Sequence, residues 1–165
     1  MTTPRDLVDR ILADWAEVRP DLDASVIGVV GRVSRLSRLI DRHLNENFRR
    51  FGIEDWMYDV LATLRRQGAP YELTAGELVR HAMVTTGAIT NRIDRLVARG
   101  LIERVTASDD RRKVIIRLTS AGLALVDEVV ADHLDTERRL LAGISPRRLQ
   151  ELAATLRALV VSLGD

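Results

Sequence analysis

Cysteine is absent from the chain, which excludes disulfides, thiol catalysis and thiol-based redox sensing and fits a reducing cytoplasm. Aromatic residues make up only 4% of the sequence, so a core has to be built from Leu, Val, Ile and Ala, which favours helices. No apolar run approaches the length of a membrane span, and the opening stretch MTTPRDLVDRILADW carries acids where a secretion signal has an apolar centre. A soluble cytoplasmic protein without a membrane partner is expected. Neither sign of charge dominates. With 25 basic and 24 acidic residues the formal net charge is +1, so affinity for nucleic acid must come from where the basic residues sit. The sequence has no Walker A loop, no nucleophile elbow and no His-Glu-x-x-His helix, and His43, His81 and His133 are far apart. Neither an enzyme nor a bound cofactor is expected, and a metal sensor built from carboxylates trails as an alternative. The GVVG stretch at Gly28–Gly31 sits inside a helical pattern with no strand before it, so it reads as a site of close helix packing and not as a phosphate loop.

What the sequence does contain is helical periodicity. Its 165 residues, 46% hydrophobic and 30% charged, suit one domain or a domain with helical extensions. Leu7, Val8, Ile11, Leu12 and Trp15 recur at helical spacing until Pro20 stops them. A longer stripe runs from about Ser25 to Arg50, interrupted at Gly52, and EDWMYDVLATLRRQG is a third helix ended by Gly68. TAGELVRH opens with a capping box, Thr74 with Glu77, and TTGAITNRIDRLVARG closes at Gly100. LIERVTA and KVIIRLT are two short extended runs. Helical spacing resumes from about Ser120 to Ala142, and Ser145 with Pro146 starts a last helix carrying Leu149, Leu152, Leu156, Leu159, Val160 and Leu163.

Two short helices joined by a tight turn, then a two-stranded hairpin, make a winged helix-turn-helix. Projected at about 100° per residue, the second helix turns Ile89, Ile93, Leu96 and Val97 inward and Gly87, Asn91, Asp94 and Arg95 outward. Its outward face is small and polar near the start, with Thr85, Thr86, Thr90 and Asn91. Such residues let a helix enter a major groove and hydrogen-bond base edges, although an ordinary solvated face has the same look. Arg111, Arg112 and Lys113 crowd the tip of the hairpin. Arginines there reach into a minor groove, or else form a charged turn that protects strand edges. Helix and hairpin together point to double-stranded DNA, contacted by Thr85, Thr86, Thr90, Asn91, Arg95, Arg111, Arg112 and Lys113. The competing class is a winged-helix interaction or dimerisation module without specific DNA binding.

The stretch GAITNRIDRLVARGLIERVTASDDRRKVIIRLTSAG also resembles the recognition helix and wing of the MarR family, with Asp110–Arg112 and the following RLTSAG matching its wing signature. The resemblance covers roughly Ser25 to the C-terminus. It implies a mainly α chain with a small β-wing and a symmetric homodimer. N-terminal helices (1–50) would precede a winged domain (51–119), with C-terminal dimerisation helices (120–165) after it. It further implies that Asp110 is structural and that Arg112 or Arg111 enters the minor groove. The added first helix, with GVVGRVSRLSRLIDR, DVLATLRRQGAPYELTAGEL and TTGAITNRIDRL, is similar to the urate-responsive, PecS- and HucR-like branch. By that likeness a small anionic ligand, urate or a related purine, would sit among Trp15, Asp59, Arg92 and Arg104 and release a repressor from its pseudo-palindromic operator. Each of the four also admits an ordinary structural role, and a phenolic acid remains an alternative ligand.

Overall fold

The computed structural model describes residues 4–81, 89–106 and 114–164. Their elements are α1 (Leu7–Val18), α2 (Ile27–Arg50), α3 (Asp55–Arg65), β1 (Glu72–Thr74), α4 (Ala75–His81), α5 (Ile89–Ala98), β2 (Ile102–Thr106), β3 (Val114–Leu118), α6 (Ser120–Leu141) and α7 (Pro146–Ser162). They fall into two units, residues 1–43 and 44–165. No described helix is long and apolar enough to cross a membrane.

In the first unit Asp6 caps α1. Its carboxylate accepts from the Asp9 N–H at 2.9 Å, and the Asp9 carboxylate accepts from the Asp6 N–H at 2.8 Å. Arg32 on α2 gathers both acids, at 2.9 Å from Asp6 and 2.6 Å from Asp9, and so fixes the crossing of the two helices. A Cβ on Gly28 would lie 3.7 Å from Leu12 and one on Gly31 3.6 Å from Val8. The GVVG patch is therefore where α1 passes over α2, as its small residues imply. Val8 is buried, whereas Leu7, Ile11 and Trp15 on α1 and Val29, Val30, Val33, Leu36 and Leu39 on α2 stay exposed.

The second unit is organised on α3, which contacts α4, α5, α6, β1 and β3. Val60, Leu61 and Leu64 of α3 meet Leu78, Leu96, Ile102, Ile116, Val126 and Val129 in one core. The expected capping box opens α4: the Glu77 N–H donates to Thr74 Oγ1 at 3.2 Å and the Thr74 N–H donates to Glu77 Oε2 at 2.8 Å.

The sheet has three strands in the order β1-β3-β2, where the sequence pattern shows only two. Three residues soon after a proline are too short for alternation to register, so β1 is recognised only by its partner. Glu72 faces Arg117 across β1 and β3, and Arg117 faces Glu103 across β3 and β2. The Arg117 guanidinium bridges the row, 2.6 Å from Glu72 and 3.8 Å from Glu103. The root of the wing is tied to α5 and α6 at once. Thr119 Oγ1 donates to the Gly100 carbonyl at 2.7 Å and accepts from the Gly122 N–H at 3.0 Å. Gly122 allows this close pass, because a Cβ there would lie 1.9 Å from the Leu101 carbonyl oxygen. Gly100, at φ +68°, lets the chain leave α5 for β2.

The last helix starts as its sequence indicates, with Ser145 at the N-cap and Pro146 in the first turn. None of its residues is buried, and Leu152, Leu156, Leu159, Val160, Val161 and Leu163 are exposed.

Candidate nucleic-acid interface and anion site

On α5, Ile89, Ile93 and Leu96 are buried, while Thr90, Asn91, Asp94 and Arg95 are exposed. The helix therefore offers the outward face that its periodicity implies. Thr85, Thr86, Arg111, Arg112 and Lys113 lie outside the described residues.

Arg95 is held from two sides. Its Nη2 donates to Glu54 Oε1 at 2.5 Å, and its guanidinium lies over the Trp56 ring, 4.7 Å from the centroid. Glu54 occupies the N-cap of α3 yet makes no side-chain cap bond, because its other oxygen accepts from Trp56 Nε1 at 2.8 Å. The indole hydrogen bond, and after it the Arg95 guanidinium, hold the Glu54 carboxyl below its ordinary pKa, so it is anionic at neutral pH. Arg92, one turn before Arg95, lies 5.6 Å from the same indole. Arg99, one turn after, donates to the Gly52 carbonyl and to Met57 Sδ, both at 3.0 Å. Two arginines on α5 and one just beyond its end thus converge on the segment that begins α3. Glu54 and Trp56 are absent from the sequence-derived set. The only signal for them is an acid and an indole two residues apart at a helix start, and nothing in the sequence says which helix they face.

Of the four expected ligand residues, Trp15 belongs to the first unit, where it is exposed beside Ile11, Asp14 and Val18 around a shallow pocket of about 150 Å³. The other three belong to the second. Arg104, on β2, donates its Nη2 to Asp94 Oδ1 of α5 at 2.5 Å. Arg92 is half-buried, and its Nη1 is shielded from water with no hydrogen-bond partner among the described residues. Asp59 is half-buried on α3 with Oδ2 shielded. No Arg92–Asp59 ion pair occurs among the described residues; Arg92 turns to Trp56 instead.

Beside Asp59, Tyr58 stacks on Phe48 at 4.8 Å and packs against His133 at 4.6 Å. Burial, then the carboxylates of Glu137 and Asp59, push the Tyr58 hydroxyl up to about 12. Among the described residues no group of three or more His, Asp or Glu is placed to hold a metal ion.

An outward polar face on α5, backed by a sheet whose β2 and β3 flank the basic segment, defines a winged helix-turn-helix of the MarR family, and the chain belongs to that family. The family's sequence model matches residues 51–113. The chain is 40% identical to the HTH-type transcriptional regulator PecS of Dickeya dadantii over 90% of both chains, consistent with the PecS-like branch. It is 31% identical to the multiple antibiotic resistance protein MarR of Escherichia coli, over 66% of this chain and 73% of that one. A crystal structure of a mutant MarR from E. coli complexed with operator DNA superimposes with a TM-score of 0.70 at 25% identity, covering 94% of this chain and 99% of that one.

Proposed function

We propose that the protein is a ligand-responsive, DNA-binding transcriptional regulator, a homodimeric repressor that a small anionic ligand releases from a pseudo-palindromic operator. The observation that carries the DNA-binding reading is α5, with buried Ile89, Ile93 and Leu96 behind exposed Thr90, Asn91 and Arg95. In this reading α5 enters the major groove, with Thr86 and Asn91 selecting bases, and Arg111 and Arg112 enter the flanking minor groove. Exposed apolar residues along α1, α2 and α7 support a homodimer, since such stripes are buried in isologous pairs. Replacement of Arg111 and Arg112 by Ala should weaken binding and flatten the salt dependence by about one to two units. An unchanged slope means that the wing does not touch DNA.

The ligand part of the proposal rests on Arg92. A shielded guanidinium nitrogen with no acceptor among the described residues is costly, and an exocyclic oxygen or a ring nitrogen of a purine anion satisfies it. Urate or a related purine anion at Arg92 and Arg104 would draw Arg92 away from Trp56 and Arg104 away from Asp94. Both contacts position α5, so ligand binding and groove fit are coupled, and family-scale allostery needs only about 1–3 kcal/mol. Asp59 faces the same ligand as a repelling carboxylate. Trp15, supplied by the resemblance alone, is tested by Trp15→Phe in the same titration. Urate added to the protein–DNA complex should release the DNA. No release at millimolar urate removes the ligand assignment and leaves DNA binding standing.

A further inference from the structure

Glu54 has an unusual position for its chemistry. Helix N-caps favour short side chains that accept from the first-turn N–H groups, and Glu is a poor choice there. Here it gives up capping altogether: one oxygen takes the Trp56 indole N–H and the other takes Arg95, the cation on the outward face of α5 one turn beyond Asn91. The side chains of Arg95 and Glu54 are both about half exposed, at 51% and 52%, so the pair adds little to stability. A phosphate oxygen offers the same acceptor chemistry as the carboxylate, and it approaches the same exposed guanidinium from the DNA side.

We propose that Glu54 is an internal stand-in for a DNA phosphate: it holds Arg95 in its phosphate-binding position in the free protein and is displaced from it when the duplex docks. Trp56 keeps the guanidinium plane fixed in both states, because its ring contact does not depend on which anion lies at the edge of the fork. The bond from Trp56 Nε1 keeps Glu54 close by, charged and ready to return. Glu54 is thus a positioning residue that also lowers affinity, since each binding event must break one ion pair. The inference rests on the reading of α5 as the DNA-contacting helix. Arg99 works differently: its partners are a backbone carbonyl and a thioether, which the duplex does not replace.

The decisive variant is Glu54→Gln, which keeps an oxygen for the indole N–H but removes the charge. Fluorescence anisotropy with a duplex from the region upstream of the protein's own gene, across a range of KCl, gives affinity and salt slope together. Glu54→Gln should bind about 3- to 10-fold tighter at low salt with little change in slope, because Arg95 meets the phosphate in both proteins and only the cost of breaking its ion pair is removed. Arg95→Gln should bind more weakly with a shallower slope, and in that background Glu54→Gln should add nothing. Glu54→Ala gives the same gain in charge without the indole bond, and thermal melting checks that each variant folds. Unchanged or weaker binding by folded Glu54→Gln overturns the proposal, as does the same gain in the absence of Arg95. If wild type binds no duplex, the DNA-binding reading falls as well. If wild type binds and Glu54→Gln is indistinguishable from it, only the stand-in role falls.

Discussion

Arg104 on β2 and Asp94 on α5 are joined by a 2.5 Å hydrogen-bonded ion pair. It ties the first strand of the wing to the helix proposed to read the major groove, and it occupies a guanidinium that the ligand proposal needs. A ligand anion therefore competes with Asp94 for Arg104. Asp94→Asn should raise urate affinity several-fold, and Arg104→Ala should abolish urate binding while itself weakening DNA binding, since it breaks the same contact to Asp94 that the ligand is proposed to break. Isothermal titration of urate, paired with anisotropy on DNA, reads both. Equal urate affinity in all three proteins shows that Arg104 is not in the site.

Gly122 gives the clearest stability prediction. Its α-carbon passes so close to the Leu101 carbonyl that a methyl group has no room, and the obstructing atom is backbone. Gly122→Ala should cost about 3 kcal/mol or more, and DNA binding should fail together with the fold. Gly143→Ala is the control, because a Cβ there meets nothing within 4 Å. Thermal melts that show the two variants equally stable contradict the close packing of α6 on the α5–β2 junction.

Tyr58 predicts an alkaline signature. Its folded pKa of about 12 lies above the ordinary value of 10.0, so the folded chain keeps the proton while the unfolded chain loses it. The Tyr58 contribution to stability is then complete below about pH 10 and declines as the pH rises toward 12. Tyr58→Phe keeps the ring stack and removes the titration. Its urea midpoint should fall less between pH 9 and 11.5 than that of wild type, and identical declines would place Tyr58 in water.

Much of this architecture is written in the sequence, because periodicity, caps and glycine punctuation are local. Thr74 with Glu77, Ser145 with Pro146, and Gly100 at positive φ each occur where the pattern puts them. The outward and inward faces of α5 follow the same logic. Strand β1 was not legible, since Glu72–Thr74 becomes a strand only by pairing with Ile115–Arg117, more than forty residues away. The Glu54–Trp56–Arg95 cluster was hidden for the same reason, with 41 residues separating Glu54 from Arg95. Arg92 shows the limit from the other side. It is half-buried on α5, and its neighbour is the Trp56 indole, 36 positions back along the chain, a contact that no local pattern records.

Whether α5 and the wing read a specific DNA sequence is decided by binding of the wild-type protein to its own upstream duplex beside a scrambled one, from low to physiological salt. Affinity for the upstream duplex should exceed that for the scrambled one by about 10³-fold or more at physiological salt. Affinity for both should fall as salt rises, with the negative log–log slope of several displaced counterions. Equal affinity for the two duplexes, or binding that does not respond to salt, would mean that α5 and the wing do not read DNA sequence.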